Sequence, residues 1–162
     1  MTVPADPPIF HITHIDNLPS IASAGGLWCD AQRIARTIDN TNIGHLHIKQ
    51  RRLTRRVTVA AGGALGDYVP FNFCPRSVML YAVHCGHQDY GAGQESIVHL
   101  VSSVAVATNL GRKWAFSDRH AELAHAWVAE VLSDCSSRPP ACILHRWLSA
   151  PQSRSPSTTQ AP

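Results

Sequence analysis

The chain has 162 residues, 44% of them hydrophobic and 15% charged, with a formal net charge of +3. That length supports one domain with its own core. The composition excludes collagen-like and disordered classes, and no apolar run of about 18 residues is present to cross a bilayer. The opening residues 1–6, MTVPAD, have neither the basic nor the apolar section of an export signal, so a cytoplasmic protein with no membrane partner is expected.

The five cysteines, at 29, 74, 85, 135 and 142, include no C-x-x-C pair. They suit neither a disulfide framework nor a zinc ribbon and are expected to act as small buried hydrophobes. The distribution of charge says more than its total. From Arg33 to Arg56 there are seven basic residues against one acid, Asp39, and twelve of the fourteen basic residues in the chain are arginine. Arginine forks onto phosphate oxygens and stacks on bases, so a polyanion suits this stretch; a solvated basic face fits the composition equally well.

In chain order, Phe10 to Thr13 reads as a short strand whose period of two puts His11 and Thr13 on one face. A helix is expected next, capped by Asp16, with Pro19 in its first turn, Leu18, Ile21 and Ala22 inward, and Gly25-Gly26 as its stop. The stretch "GHLHIKQRRLTRRV" is expected to be a basic helix with Ile43, Leu46 and Leu53 on its apolar side. Residues 60–77 read as an ordered loop containing an extended "YVPFNF". Two buried strands, "SVMLYAVHCG" and "ESIVHLVSSVAVA", are expected to carry the sheet core. A helix over "AFSDRHAELAHAWVAEVLSD" follows, capped by Ser117 or Asp118, with Leu123, Trp127, Val128, Val131 and Leu132 at helical spacing. Residues 135–149 differ in texture, and from about 150 a Pro/Ser/Thr/Gln tail is expected to be disordered.

No phosphate loop, nucleophile elbow or dinucleotide fingerprint is present. Longer blocks are more specific. "FHITHIDNLPSI", "HIKQRRL", "GDYVPFNFCPRSVMLY", "GQESIVHLVSS" and "FSDRHA" follow one another in the order and approximate spacing of the DarT family of DNA ADP-ribosyltransferase toxins, a resemblance covering residues 8–134. It implies an α+β fold of the ADP-ribosyltransferase type, with split mixed sheets around an NAD+ cleft and an incomplete C-terminal part. It also implies transfer of ADP-ribose from NAD+ to a base in single-stranded DNA, and a macrodomain antitoxin partner, DarG.

By the same resemblance, His11, Ile12 and Thr13 form the family's H-x-T element at the nicotinamide end of NAD+, with Ser20 and Trp28 touching the cofactor further along. His14 is left as structural, and packing is an equal reading of Trp28. Arg52 matches the family's catalytic arginine. A guanidinium with a pKa above about 12 is a poor base, so charge stabilisation and positioning suit it better than proton abstraction. Arg51, Arg55, Arg76, Arg119 and His120 are the candidates for DNA contact. Tyr68, Phe71 and Phe73 suit stacking on bases less well than filling the core.

One part of the family pattern is missing. A glutamate beside the sugar stabilises the oxocarbenium-like ribose as the nicotinamide bond loosens, and in the family it lies in an "AEFLV"-like segment beyond the last helix. The three glutamates here are Glu95, in the family's non-catalytic "GQE", and Glu122 and Glu130 on the expected helix. Past Asp134 the text resembles the product of a frameshift or truncation, so impaired catalysis is expected, with a non-catalytic NAD+- or DNA-binding remnant as the alternative. His45-x-His47 and His84-Cys85-x-His87 find no further ligands at a recognisable spacing, so no metal is expected.

Overall fold

Strand β1, Pro8–His14, is covered on both faces. Its alternate side chains separate Ile9, His11 and Thr13 from Phe10, Ile12 and His14. Ile9 is buried with Val104, Ala107 and Phe116, whereas Ile12 is buried with Ile43, Val83 and Tyr90. The computed structural model describes residues 5–58, 62–117, 121, 128–129 and 142–146.

Strand β3, Ile97–Ser103, runs antiparallel to β1 along its whole length, from Pro8 opposite Ser103 to His14 opposite Ile97. On the other side β1 meets β2, Tyr68–Asn72, at a single register pair, Phe10 opposite Asn72. Extending that register would set Pro70 against Ile12, and proline has no N–H to give a ladder. Beyond β2 come β6, Cys142–Arg146, then β4, Trp114–Ser117, then β5, Val128–Ala129, so the six-stranded order is β3-β1-β2-β6-β4-β5. The expected α+β class holds. Instead of split mixed sheets, the described strands form one antiparallel sheet with a seam between β1 and β2. The strand β6, from the segment of altered texture, lies inside that sheet between β2 and β4.

Among the described residues five α-helices accompany the sheet: α1 (Leu18–Ser23), α2 (Asp30–Ala35), α3 (Leu46–Thr54), α4 (Val78–Cys85) and α5 (Val104–Asn109). Several expectations change here. Asp16 does not cap α1. It sits in a 3-10 turn, Ile15–Asn17, which is capped by His14 Nδ1 accepting the Asp16 N–H at 3.1 Å, and Ala22 faces solvent. The basic helix α3 exists, but Leu46 is 52% and Leu53 37% exposed, while Arg52 is buried to 7%. Ile43 is buried ahead of the helix.

The first expected core strand is α4: Ser77 accepts the Leu80 N–H at 3.1 Å and Gly86, at φ 75°, ends it. Caps at both ends outweigh a continuous apolar run that fits strand and helix alike. The second ends as a strand at Ser103, whose hydroxyl caps α5. Ala115, Phe116 and Ser117 are fully buried in β4 rather than opening a helix, and Val128 belongs to β5. Ala121 is a buried turn residue and Ala129 belongs to β5; the other residues of that expected helix and the tail from 150 lie outside the described residues. Cys29 is buried as expected; Cys74 and Cys85 are exposed. No helix among the described residues is long and apolar enough to cross a membrane.

The 3-10 turn Leu65–Asp67 presses on α3 at Gly66. A Cβ there would lie 2.9 Å from Leu53 Cα and 3.3 Å from the Arg52 carbonyl oxygen. Gly66→Ala should therefore destabilise the protein by about 1–3 kcal/mol in urea unfolding. Gly91→Ala, whose added carbon meets nothing within 4 Å, should be near neutral. Equal midpoints for the two variants would show that the turn and helix separate freely.

Candidate functional site

Where the β1–β2 ladder stops, a side chain takes over. His11 Nδ1 lies 2.7 Å from the Pro70 carbonyl oxygen, and its ring rests 5.6 Å from that of Phe71. A carbonyl only accepts, so Nδ1 carries the proton and Nε2 keeps a lone pair. Burial pushes the imidazole pKa below its ordinary value of 6.5, against the opposing pull of the Pro70 bond and Asp30; the positive charges of Lys49 and Arg52 lower it further. The result is a neutral, oriented imidazole within the field of three charged residues.

Those residues converge on Asp30, at the start of α2. Its carboxylate lies 3.8 Å from Arg33, 3.7 Å from Lys49 Nζ and 3.9 Å from Arg52 Nε. Lys49 and Arg52 come from one face of α3, one turn apart. Burial, partly offset by Asp30, holds the Lys49 pKa below the usual ammonium range. Arg52 also donates from a terminal nitrogen to the Leu65 and Tyr68 carbonyls, at 3.2 and 3.3 Å. Three cations against one carboxylate leave positive charge beside a neutral imidazole, an arrangement suited to phosphate and sugar hydroxyls.

The other candidates have defined settings. Ile12 points into the core, so only its backbone is available to a ligand. Thr13 is buried and its hydroxyl accepts from Asn17 Nδ2 at 3.0 Å. Asn17 also donates to the Thr41 carbonyl at 3.0 Å and accepts the Thr41 N–H at 2.7 Å, fastening β1 to the loop after α2. Ser20 donates to the Asn17 and Asp39 carbonyls and lines an open recess of about 450 Å3 with Asp16, Asn17, Asp39 and Thr41. His11, Trp28 and Arg52 do not line that recess. Trp28 donates to the Ala24 carbonyl at 2.9 Å, and Arg36 lies 3.9 Å from its ring centre, covering one face.

Among the DNA-contact candidates, Arg51 and Arg76 are exposed and Arg55 is half-buried, while Arg119 and His120 lie outside the described residues. Tyr68 is fully buried, its hydroxyl donating to the Gly62 carbonyl at 2.6 Å. Phe71 and Phe73 pack on the Ile9 cluster, so these rings fill the core. Glu95 is exposed in the turn before β3. Sequence reading missed Asp30 and Asn17 as organising residues and counted Lys49 only as part of a basic stretch. An acid four residues after the Gly-Gly stop was the one available sign of Asp30.

This α+β fold, with an oriented histidine at the seam of an antiparallel sheet and cations beside it, matches solved ADP-ribosyltransferase structures. The structure of Thermus sp. 2.9 DarT in complex with ADP-ribosylated ssDNA matches with a TM-score of 0.80 and 37% identity, over 90% of this chain and 78% of that one. The same protein in complex with NAD+ matches at 0.75 and 36%, over 90% and 77%. The family model for "ssDNA thymidine ADP-ribosyltransferase, DarT" covers residues 10–137, and the chain belongs to the DarT family. A DNA ADP-ribosyl transferase of Thermus sp. (strain 2.9) is 46% identical over 125 residues, 77% of this chain and 58% of that protein. The chain thus spans a little over half the length of that relative.

The lowered pKa of His11 has a consequence for stability. As pH falls, the unfolded chain takes up this proton first, so the contribution of His11 is complete above about pH 6.5 and declines below it, toward the depressed folded-state value. Urea midpoints measured from about pH 7.5 to about pH 5 should fall less steeply for His11→Gln than for the unaltered protein. Parallel slopes would place the imidazole in water.

Proposed function

We propose that this chain binds NAD+ at the β1–β2 seam and belongs to the machinery that transfers ADP-ribose to bases of single-stranded DNA. The observation that carries this reading is the neutral His11, anchored through Nδ1 to Pro70, with Nε2 free to accept from a ribose hydroxyl beside the Lys49 and Arg52 charges. The 36%-identical relative solved with NAD+ supports the cofactor, and the one solved with ADP-ribosylated ssDNA supports the acceptor. In this reading Ile12 contributes backbone groups and Thr13 its hydroxyl. Ser20 and Trp28 contact the rest of the cofactor. Arg52 stabilises charge, and Arg51, Arg55, Arg76, Arg119 and His120 meet the strand. The setting is a cytoplasmic toxin–antitoxin pair with DarG as its partner.

Transfer by these 162 residues is weak in this reading. The carboxylate beside the seam, Asp30, is already shared among Arg33, Lys49 and Arg52 and has little charge left for an oxocarbenium-like ribose. Glu95 stands exposed ahead of β3. A non-catalytic binding role is the second reading, favoured by the same observation.

Incubation with NAD+ and mixed-sequence single-stranded oligonucleotides, read by mass spectrometry, should give little or no product heavier by one ADP-ribose. Robust modification that persists in the Glu95→Gln, Glu122→Gln and Glu130→Gln variants would overturn this account of the acid. NAD+ titration should show affinity falling about tenfold or more in His11→Ala, and equal affinity would remove the histidine from the site. Oligonucleotide affinity should fall steeply between low and moderate salt. A flat response would refute phosphate contact by the arginines.

A further inference from the structure

On the face of β1 opposite His11, three potential metal ligands come together. His45 stands at the N-cap of α3, and the turn between α4 and β3 brings His87 and Asp89 to it, with one donor atom from each residue within 4.8 Å of the others. His45 Nδ1 is 3.5 Å from Asp89 Oδ2, and the two imidazole centres are 4.1 Å apart. Donors on a four-coordinate zinc, at about 2 Å from the ion, lie about 3.3 Å from one another, so the set needs only small side-chain rotations to close on one ion.

The hydrogen bonding of His87 is the second, independent observation. Its Nε2 lies 3.3 Å from the Ile43 carbonyl oxygen and therefore carries the proton. That leaves the lone pair on Nδ1, which is buried with no hydrogen-bond partner. An imidazole that donates one nitrogen to a backbone carbonyl and offers the other, unsatisfied, is the state in which proteins present histidine to a metal. Asp89 is oriented too, since Oδ2 accepts the Leu46 N–H at 3.2 Å. A close His45–Asp89 contact alone explains those two residues but leaves the buried His87 nitrogen without a purpose.

We propose that His45, His87 and Asp89 bind one divalent transition-metal ion of the zinc type, with water in the remaining positions. Two imidazoles and a carboxylate are a borderline donor set that favours zinc, cobalt and iron over calcium or magnesium. The ion joins the start of α3 to the turn His87–Tyr90, adding to the Asp89 bond with the Leu46 N–H and the His87 bond with the Ile43 carbonyl. It thereby holds the helix that carries Lys49 and Arg52 further along. It takes no part in the transfer reaction, and the proposal stands whether or not the seam binds NAD+.

The test uses the full chain, freed of metal by a chelator, and titrates Zn2+ by calorimetry and Co2+ by visible absorption. One equivalent should bind, Co2+ should give the absorption of a nitrogen- and oxygen-ligated centre, and Zn2+ should raise the melting temperature. His87→Gln and Asp89→Asn should each weaken binding at least tenfold, whereas His84→Ala, on exposed α4 surface, should bind like the unaltered protein. If the His87 variant fails to fold by circular dichroism, His45→Gln decides the matter by the same tenfold criterion. Absence of stoichiometric Zn2+ uptake, or affinity unchanged in His45→Gln, would overturn the proposal.

Discussion

The hydrogen bond from His11 to the Pro70 carbonyl holds the two parts of the sheet in register where main-chain pairing ends. One ladder pair joins β1 to β2, and proline at position 70 cannot provide another donor. The imidazole thus works as a piece of backbone: it gives the Pro70 carbonyl a donor from β1 where the main-chain ladder has ended. In doing so it becomes neutral, fixed in tautomer and aimed by its remaining nitrogen. Structural necessity and chemical readiness coincide in one side chain.

The charged cluster follows the same economy. Arg52 is buried because its guanidinium secures the Leu65 and Tyr68 carbonyls around a turn that fits only with glycine at position 66. A cation withdrawn from water requires compensation, and Asp30 supplies part of it while also reaching Lys49 and Arg33. Removing the carboxylate would leave like charges facing one another in a poorly hydrated site. The positive character near His11 is therefore fixed by the packing of α2, α3 and the turn before β2, and is not an accident of surface composition.

How far the sequence could be read depended on how local each determinant was. The strand around His11, the extended "YVPFNF" and the basic helix follow from short-range pattern, and the family blocks carried the fold class. Misreadings arose where two periods fit the same letters. "VMLYAVHC" is apolar throughout, and only the capping by Ser77 and the positive φ of Gly86 make it helical. "AFS" becomes a central strand because β6 and β5 flank it, which no window on residues 114–129 reveals. Arg52 was legible as a site residue through family blocks but not as a buried one, since burial of arginine depends on carbonyls more than a dozen positions away. The grouping of His45 with His87 and Asp89 joins segments more than forty residues apart and has no local signature.

The insertion of β6 between β2 and β4 also bears on how the polypeptide matures during synthesis. One edge of β2 finds its neighbour only when Cys142–Arg146 arrives, about 70 residues after Asn72. At ribosomal speeds of about 5–20 residues per second, that is a delay of roughly 4–14 s. For those seconds the nascent chain carries an unmated strand rich in aromatic residues, a template for pairing with any other extended segment nearby.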